Sequence, residues 1–215
     1  TFYEDIEENN SQGLDPTAAT DGLTAYENAL DLLANQDEFD VNLILLPGII
    51  DSVHTTVATK AIDVCESRGD CFTILDPVPY DSTLTAATTR GEARDSNFAA
   101  MYWPWVKVPD SQLGVQRWVP PSVVLGGIYA FNDRVAHPWF APAGLNRGGI
   151  TTAIQAERKL TQGNRDDLYD SNINPIATFP GQGVTVFGQK TLQKKSSALD
   201  RINVRRLLIR VKKFV

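Results

Sequence analysis

The chain has 215 residues, 42% of them hydrophobic and 21% charged, which is enough apolar side chain for a substantial core and excludes a disordered tract. The apolar run over 41–46 is strand-sized and far below the roughly 20 residues a membrane-spanning helix needs, so no membrane insertion is expected. A net charge of −6 conceals a split: residues 1–100 carry 19 acids against 4 bases, and residues 101–215 carry 7 against 16.

Residues 1–20, acidic and then marked by Ser-Gln-Gly and Asp-Pro turn signals, read as a mobile N-terminal segment, with a single α/β domain over 21–215. Asp21 is placed to cap a helix over 22–35, with Leu23, Tyr26, Leu30 and Leu33 on one face. The run over 41–46 predicts a strand covered on both sides and ended by Pro47-Gly48. Asp51 or Ser52 then caps a helix over 53–67, closed by Arg68-Gly69, and a second buried strand follows over 71–75. This alternation predicts a mixed sheet, partly parallel, with flanking helices.

A helix over 86–97 leads to a third strand over 99–108, where Pro104 favours a sheet edge or a bulge. An exposed connector over 109–118 precedes a helix opened by Pro120-Pro121 and running to about residue 131, in which Gly126-Gly127 predicts close backbone approach to another element. Residues 151–169 read as a helix broken near Gly163-Asn164, and 176–179 with 183–188 as a hairpin around Pro180-Gly-Gln-Gly183. Ser197-x-x-Asp200 predicts the start of a basic helix over about 198–215, with Ile202 or Val204, Leu207 or Leu208, Val211 and Phe214 on its apolar face. Arg201, Arg205, Arg206, Arg210, Lys212 and Lys213 occupy much of the rest.

The charge split is sharpest at the ends, where residues 1–40 hold 11 acids and no base while residues 186–215 hold 9 bases and one acid. Two solvated faces of one globule would explain it; so would head-to-tail contact between copies, acidic patch against basic. Direct nucleic-acid binding is not expected from an acidic chain without a basic-aromatic motif. Cys65 and Cys71, six apart and remote from His54 and His137, match no zinc spacing and read as buried, reduced thiols suited to a reducing cytoplasm. Opening on Thr1 with an acidic stretch shows no signal peptide, and this opening together with an end inside a helical pattern reads as a fragment of a longer protein.

No set of residues has the layout of a catalytic centre. The loop over 47–54 lies after a strand, where helix N-terminal amides can receive an anion, and His54 is its titratable group. It carries neither phosphate-binding glycine pattern, yet an α/β enzyme handling a nucleotide or phosphate there is the alternative reading. Ser122, His137 and Asp133 lack a nucleophile elbow, and Asp133 with Arg134 reads better as an ion-pairing or capping unit. No cofactor and no metal are expected. Trp103, Trp105, Trp118 and Trp139 divide between core and interface, and the apolar, proline-stiffened Ala141-Pro-Ala-Gly144 loop beside Trp139 fits a contact surface.

Four ordered segments resemble the C-terminal conserved region of contractile tail sheath proteins of bacteriophages. They are Ala99-Ala-Met-Tyr-Trp-Pro-Trp-Val106; Val119-Pro-Pro-Ser122 with Gly127-Ile-Tyr-Ala130, Asp133, Trp139 and Ala141-Pro-Ala-Gly144; Asn172-Ile-Asn-Pro-Ile176 with Gly181-Gln-Gly183 and Val186-Phe-Gly-Gln-Lys-Thr-Leu192; and Ile202-Asn-Val-Arg-Arg-Leu207. The chain departs from the family pattern at Phe131-Asn132, where Arg-Thr is common, and at His137-Pro138, where Gly-Val is common.

The resemblance implies a structural subunit, not an enzyme. Such a subunit polymerises helically around a tail tube and contracts to drive the tube through the host envelope. It implies other copies, the tube protein, and baseplate and terminator proteins as partners, with assembly in the host cytoplasm and residence in the virion. The family continues past the Asn-Val-Arg-Arg helix into an arm that adds strands to neighbouring subunits, so the chain reads as a trimmed core. Arg201, Arg205, Arg206, Arg210, Lys212, Lys213, Asp133, Arg134 and Trp139 are its candidate inter-subunit or tube contacts.

Overall fold

Four apolar runs lie side by side as parallel strands at the centre of the structure, a computed structural model describing residues 7, 9–11 and 13–214. They are β1 (Leu43–Ile50), β2 (Phe72–Asp76), β3 (Ala99–Trp103) and β7 (Ile173–Phe179); β8 (Gly183–Val186) closes the sheet as an antiparallel hairpin with β7. Leu45 pairs with Ile74, Ile74 with Ala100, Met101 with Ile173, and Ile176 with Val186. Every residue of β2 and β3 is buried, because helices cover both faces.

Alternation along the strands divides the core. Phe72, Ile74, Ala100 and Tyr102 face α4 (Pro121–Val135) and α6 (Ile202–Lys212), meeting Leu125, Tyr129, Ile202 and Ile209. Leu75, Ala99, Met101 and Trp103 face α2 (Thr55–Arg68), α3 (Leu84–Ala93) and α5 (Gln162–Asp170), meeting Ile62, Ala87 and Leu168. A third cluster joins α1 (Gly22–Leu33), through Leu30, to Val57, Ala61 and Cys65 of α2 and Ile44 of β1. This is the mixed sheet with flanking helices expected from the sequence.

Several boundaries differ from expectation. Strand β1 runs through Pro47-Gly48 to Ile50, with its register shifting between Leu45 and Ile50. The third strand divides at Pro104, which has no N–H for a ladder. Strand β3 stays in the central sheet, while β4 (Val106–Asp110) enters a second, antiparallel sheet between β5 (Val115–Val119) and β6 (Gln155–Ala156). The expected connector is therefore a hairpin. Residues 151–160 are not helical, since the N–H groups of Ile154 and Glu157 donate to Lys107 and Trp105 carbonyls; α5 starts only after Thr161 and Asn164 form a capping box.

Asp21 occupies the N-cap of α1 but accepts from the Asp15 N–H instead of capping. Neither Asp51 nor Ser52 caps α2: Asp51 is buried and receives both Arg90 (2.8 and 2.5 Å) and Arg94 (3.0 and 2.6 Å), binding α3 and the chain just beyond it to the end of β1. Gly126 makes the expected close approach, as a Cβ there would meet Leu45 Cδ1 at 2.8 Å, whereas Gly127 faces open space. The segment expected to be mobile falls partly on residues 1–6, 8 and 12, outside the described residues; among its described residues, Ser11 is buried with its hydroxyl 3.1 Å from that of Tyr26.

Candidate functional site

The segment with the densest sequence signature folds into one face made of α4, the loop after it and α6. Asp76, at the end of β2, receives the Ser122 N–H (3.0 Å) and hydroxyl (2.5 Å), which anchors the first turn of α4 to the sheet. Burial pushes this carboxyl up to about 7, against the lowering effect of the Ser122 bonds. Within the core the Tyr102 and Tyr129 hydroxyls lie 2.7 Å apart, and burial pushes Tyr129 up to about 12. At the end of α4, Asn132 donates to the His137 carbonyl (3.2 Å) and the Phe140 carbonyl (3.1 Å), pinning the loop against the helix. Trp139 stacks on His137 at 4.5 Å, while Arg147 covers Phe140 and donates to the Ala141 carbonyl. Trp139, Phe140, Phe131, Val135 and Leu145 all remain exposed.

Helix α6 starts at Ile202, later than expected. Ser197 caps only a short 3-10 turn, Ala198–Asp200, and Arg201 is extended because it bridges Lys190 while the Ile202 N–H donates to the Gln189 carbonyl. The helix also presents faces other than those its apolar period predicted. Ile202 and Ile209 are buried together with Arg205 and Arg206, whereas Leu207, Leu208, Val211 and Phe214 are exposed, Phe214 to 77%.

The candidate basic residues separate accordingly. Arg206 grips Asp133 with both nitrogens (2.7 and 2.6 Å) and lies over the Tyr129 ring at 4.8 Å. Arg205 lies over Phe98 at 4.0 Å and donates to Asn97; burial lowers its pKa. Lys212 donates to the Arg68 carbonyl, and Lys213 to Asp40 and the Val41 carbonyl. Part of the acidic–basic polarity is therefore satisfied within one chain. Arg201 bonds the Tyr169 hydroxyl at 2.8 Å, whereas Arg210, lying against Phe214, is exposed together with Lys194 and Lys195. Arg134 sits beside the exposed Phe131 ring.

Asp133 was expected to form an ion-pairing or capping unit with Arg134, and Arg206 to lie on a contact surface; instead Asp133 pairs with Arg206. The partner is 73 positions away, so no local signal marks it. Arg206→Ala is expected to cost about 2–3 kcal/mol in denaturant unfolding, less than a fully buried pair because Asp133 is partly exposed, with a clear coupling to Asp133→Ala in a double-mutant cycle. Additive single losses would show that the pair is not the source.

The loop over 47–54 does not offer its amides to an anion. The N–H groups of Asp51 and Ser52 donate to the Asp76 and Pro77 carbonyls (2.8 and 3.1 Å), and those of Val53 and His54 to the Ile50 carbonyl (3.1 and 2.7 Å). His54 is buried with Nδ1 accepting from the Ile50 N–H at 2.9 Å. Ser122, His137 and Asp133 are each engaged with separate neighbours and form no catalytic set. Among the described residues no group of three or more His, Cys, Asp or Glu could hold a metal ion, and no helix is long and apolar enough to cross a membrane. A cleft of ≈ 450 Å³ beside the Ala141-Pro-Ala-Gly144 loop, lined also by Arg165, Tyr169, Phe187 and Gln189, has no catalytic grouping.

A family model described as the phage tail sheath protein central domain matches residues 23–192. The tail sheath protein of Vibrio phage KVP40 is 32% identical over 222 residues, covering 92% of this chain and 33% of its own length. That of Enterobacteria phage T4 is 32% identical over 199 residues, covering 83% and 30%. Among solved structures, the PVC sheath complex of an extracellular contractile injection system in its contracted state is similar with a TM-score of 0.64 and 28% identity, over 81% of this chain and 46% of that one. The chain spans about a third of the length of the curated relatives it matches.

Proposed function

Because the chain belongs to the phage tail sheath protein family, a family of structural proteins and not enzymes, we propose that it forms the core of a subunit that polymerises around a tail tube and contracts. The observation that carries this reading is the likeness to a chain of a sheath complex solved in its contracted state. Other copies are the first partners, and tube, baseplate and terminator proteins the others. The complete protein assembles in the host cytoplasm and resides in the virion tail, where contraction drives the tube through the envelope for DNA injection. Contraction needs rigid bodies that exchange one set of contacts for another, and the covered parallel sheet with its salt-bridged helices suits a rigid body.

In this proposal the contact residues are the exposed Arg210, Lys194 and Lys195 and the half-exposed Arg201, with Arg134 and Trp139 on the adjoining loop face. Arg205, Arg206, Lys212 and Lys213 set the position of α6 inside the subunit. The acidic surface that would receive the basic group is that of α1 and the turn after it on a neighbour, where Glu27, Asp37 and Glu38 lie close in sequence beside Asp31, which already pairs with Lys60.

Electron microscopy of the complete protein tests the function, with regular helical polymers expected and amorphous or monomeric material counting against it. For the contacts, the triple change Lys194→Glu, Lys195→Glu and Arg210→Glu is expected to raise the concentration needed for assembly by about tenfold or more while leaving the unfolding midpoint nearly unchanged. Polymerisation indifferent to both the substitutions and ionic strength would remove these residues from the interface.

A further inference from the structure

We propose that Cys65 and Cys71 form an oxidisable dithiol that a peroxide converts into an intrachain disulfide, stapling the end of α2 to the start of β2. These are the two cysteines of the chain, and the fold brings their sulfurs to 3.3 Å. Both are fully buried, among Leu30, Ile44, Ala61 and Val64, so neither can pair with another subunit without unfolding.

The turn between them is what sets the distance. Gly69 takes the left-handed conformation (φ 67°) and returns its N–H to the Cys65 carbonyl at 2.8 Å, reversing the chain in one step. The Arg68 side chain, 1% exposed, clamps the turn from within through Asp70, the Leu33 carbonyl at the end of α1 and the Phe39 carbonyl beyond it. Lys212 covers it from outside, so close to Gly69 that a Cβ there would lie 2.7 Å from Nζ. A disulfide requires the sulfurs to close by about 1.3 Å, which side-chain rotation within a fixed turn can supply.

The chemistry balances with one peroxide molecule. The Cys71 thiolate, favoured by its hydrogen bond to Cys65 and by the Arg68 charge, attacks one peroxide oxygen; the O–O bond breaks, leaving a sulfenic acid and hydroxide. The Cys65 sulfur, whose own thiol is held protonated by that same hydrogen bond and by burial, then attacks the Cys71 sulfur. An S–S bond forms, a second hydroxide leaves, and the two thiol protons convert both hydroxides to water. The sulfurs lose two electrons and the peroxide oxygens gain them. A resolving thiol already in contact favours this closure over further oxygen addition, and because both sulfurs are fully buried the oxidant reaches them only during local opening.

The full chain treated with hydrogen peroxide is expected to lose about 2 Da in intact mass, to show no titratable thiol after denaturation, and to unfold about 5 °C higher, all reversed by dithiothreitol. Cys71→Ser should abolish the mass loss and the shift together. A mass gain in steps of about 16 Da, a covalent dimer on a non-reducing gel, or two thiols still titratable after treatment would each overturn the proposal. These readings on the unsubstituted chain decide the matter even where the serine variant folds poorly.

Discussion

Arg68→Ala is expected to lower the free energy of unfolding by about 3–5 kcal/mol, read from urea or guanidinium denaturation. The guanidinium is buried where three helices and a strand converge. It binds Asp70 with two nitrogens (2.8 and 2.9 Å) and donates to the carbonyls of Leu33, at the end of α1, and of Asn35 and Phe39 in the chain beyond it. Removing it strands the Asp70 carboxylate and takes a donor from three carbonyls, of which those of Asn35 and Phe39 keep a backbone partner, so the loss exceeds the worth of any one bond. Arg68→Lys should recover less than half, since a single ammonium cannot reproduce a planar fork of donors. Because Lys212 and Gln36 both bond the Arg68 carbonyl, the variant should also loosen the end of α6. A loss below about 1 kcal/mol would mean that water satisfies these groups equally well.

The second large effect is a dependence of stability on pH that Asp76 imposes. Its folded pKa of about 7 lies above the ordinary 3.8, so the folded state holds a proton that the unfolded state has released between those values. Stability from this group is complete below about pH 4 and is lost as pH rises toward 7, the direction opposite to a salt-bridged carboxylate. Asp76→Asn keeps an acceptor for the Ser122 N–H and carries no charge. The difference in unfolding free energy between variant and parent should grow from near zero at pH 4 to about 2–4 kcal/mol in favour of the variant at pH 8. Glu157, also raised by burial, titrates in both proteins and cancels in the difference. Parallel curves across this range would show that Asp76 is ionised throughout or solvated.

Much of the fold was legible because its signals are local. The β-prone run of β2, the start of β3, the Arg68-Gly69 helix end, the prolines opening α4 and the Pro180-Gly-Gln-Gly183 hairpin all act through neighbouring backbone, and each lies close to where it was expected. The ordered segments from Ala99 to Leu207 pointed to the sheath family, and the family match bears this out. Residues 151–160 were misread as helix because the partners that hold them extended, Trp105 and Lys107, are about fifty positions away.

Local pattern by itself determined the α/β class and the order of most elements, and the resemblance of the four ordered segments indicated the family. Only the tertiary structure decided which charges face outward. The period of α6 allows either the leucine stripe or the arginine stripe to be buried, and hydrophobicity alone favours the leucines. The arginines go inward because Asp133, Asn97, Phe98 and Tyr129 stand ready at the sheet face to pair with them. The Asp133 carboxylate and Tyr129 ring around Arg206, and Asn97 and the Phe98 ring around Arg205, offset part of the cost of burying these charges, and the apolar stripe is left exposed.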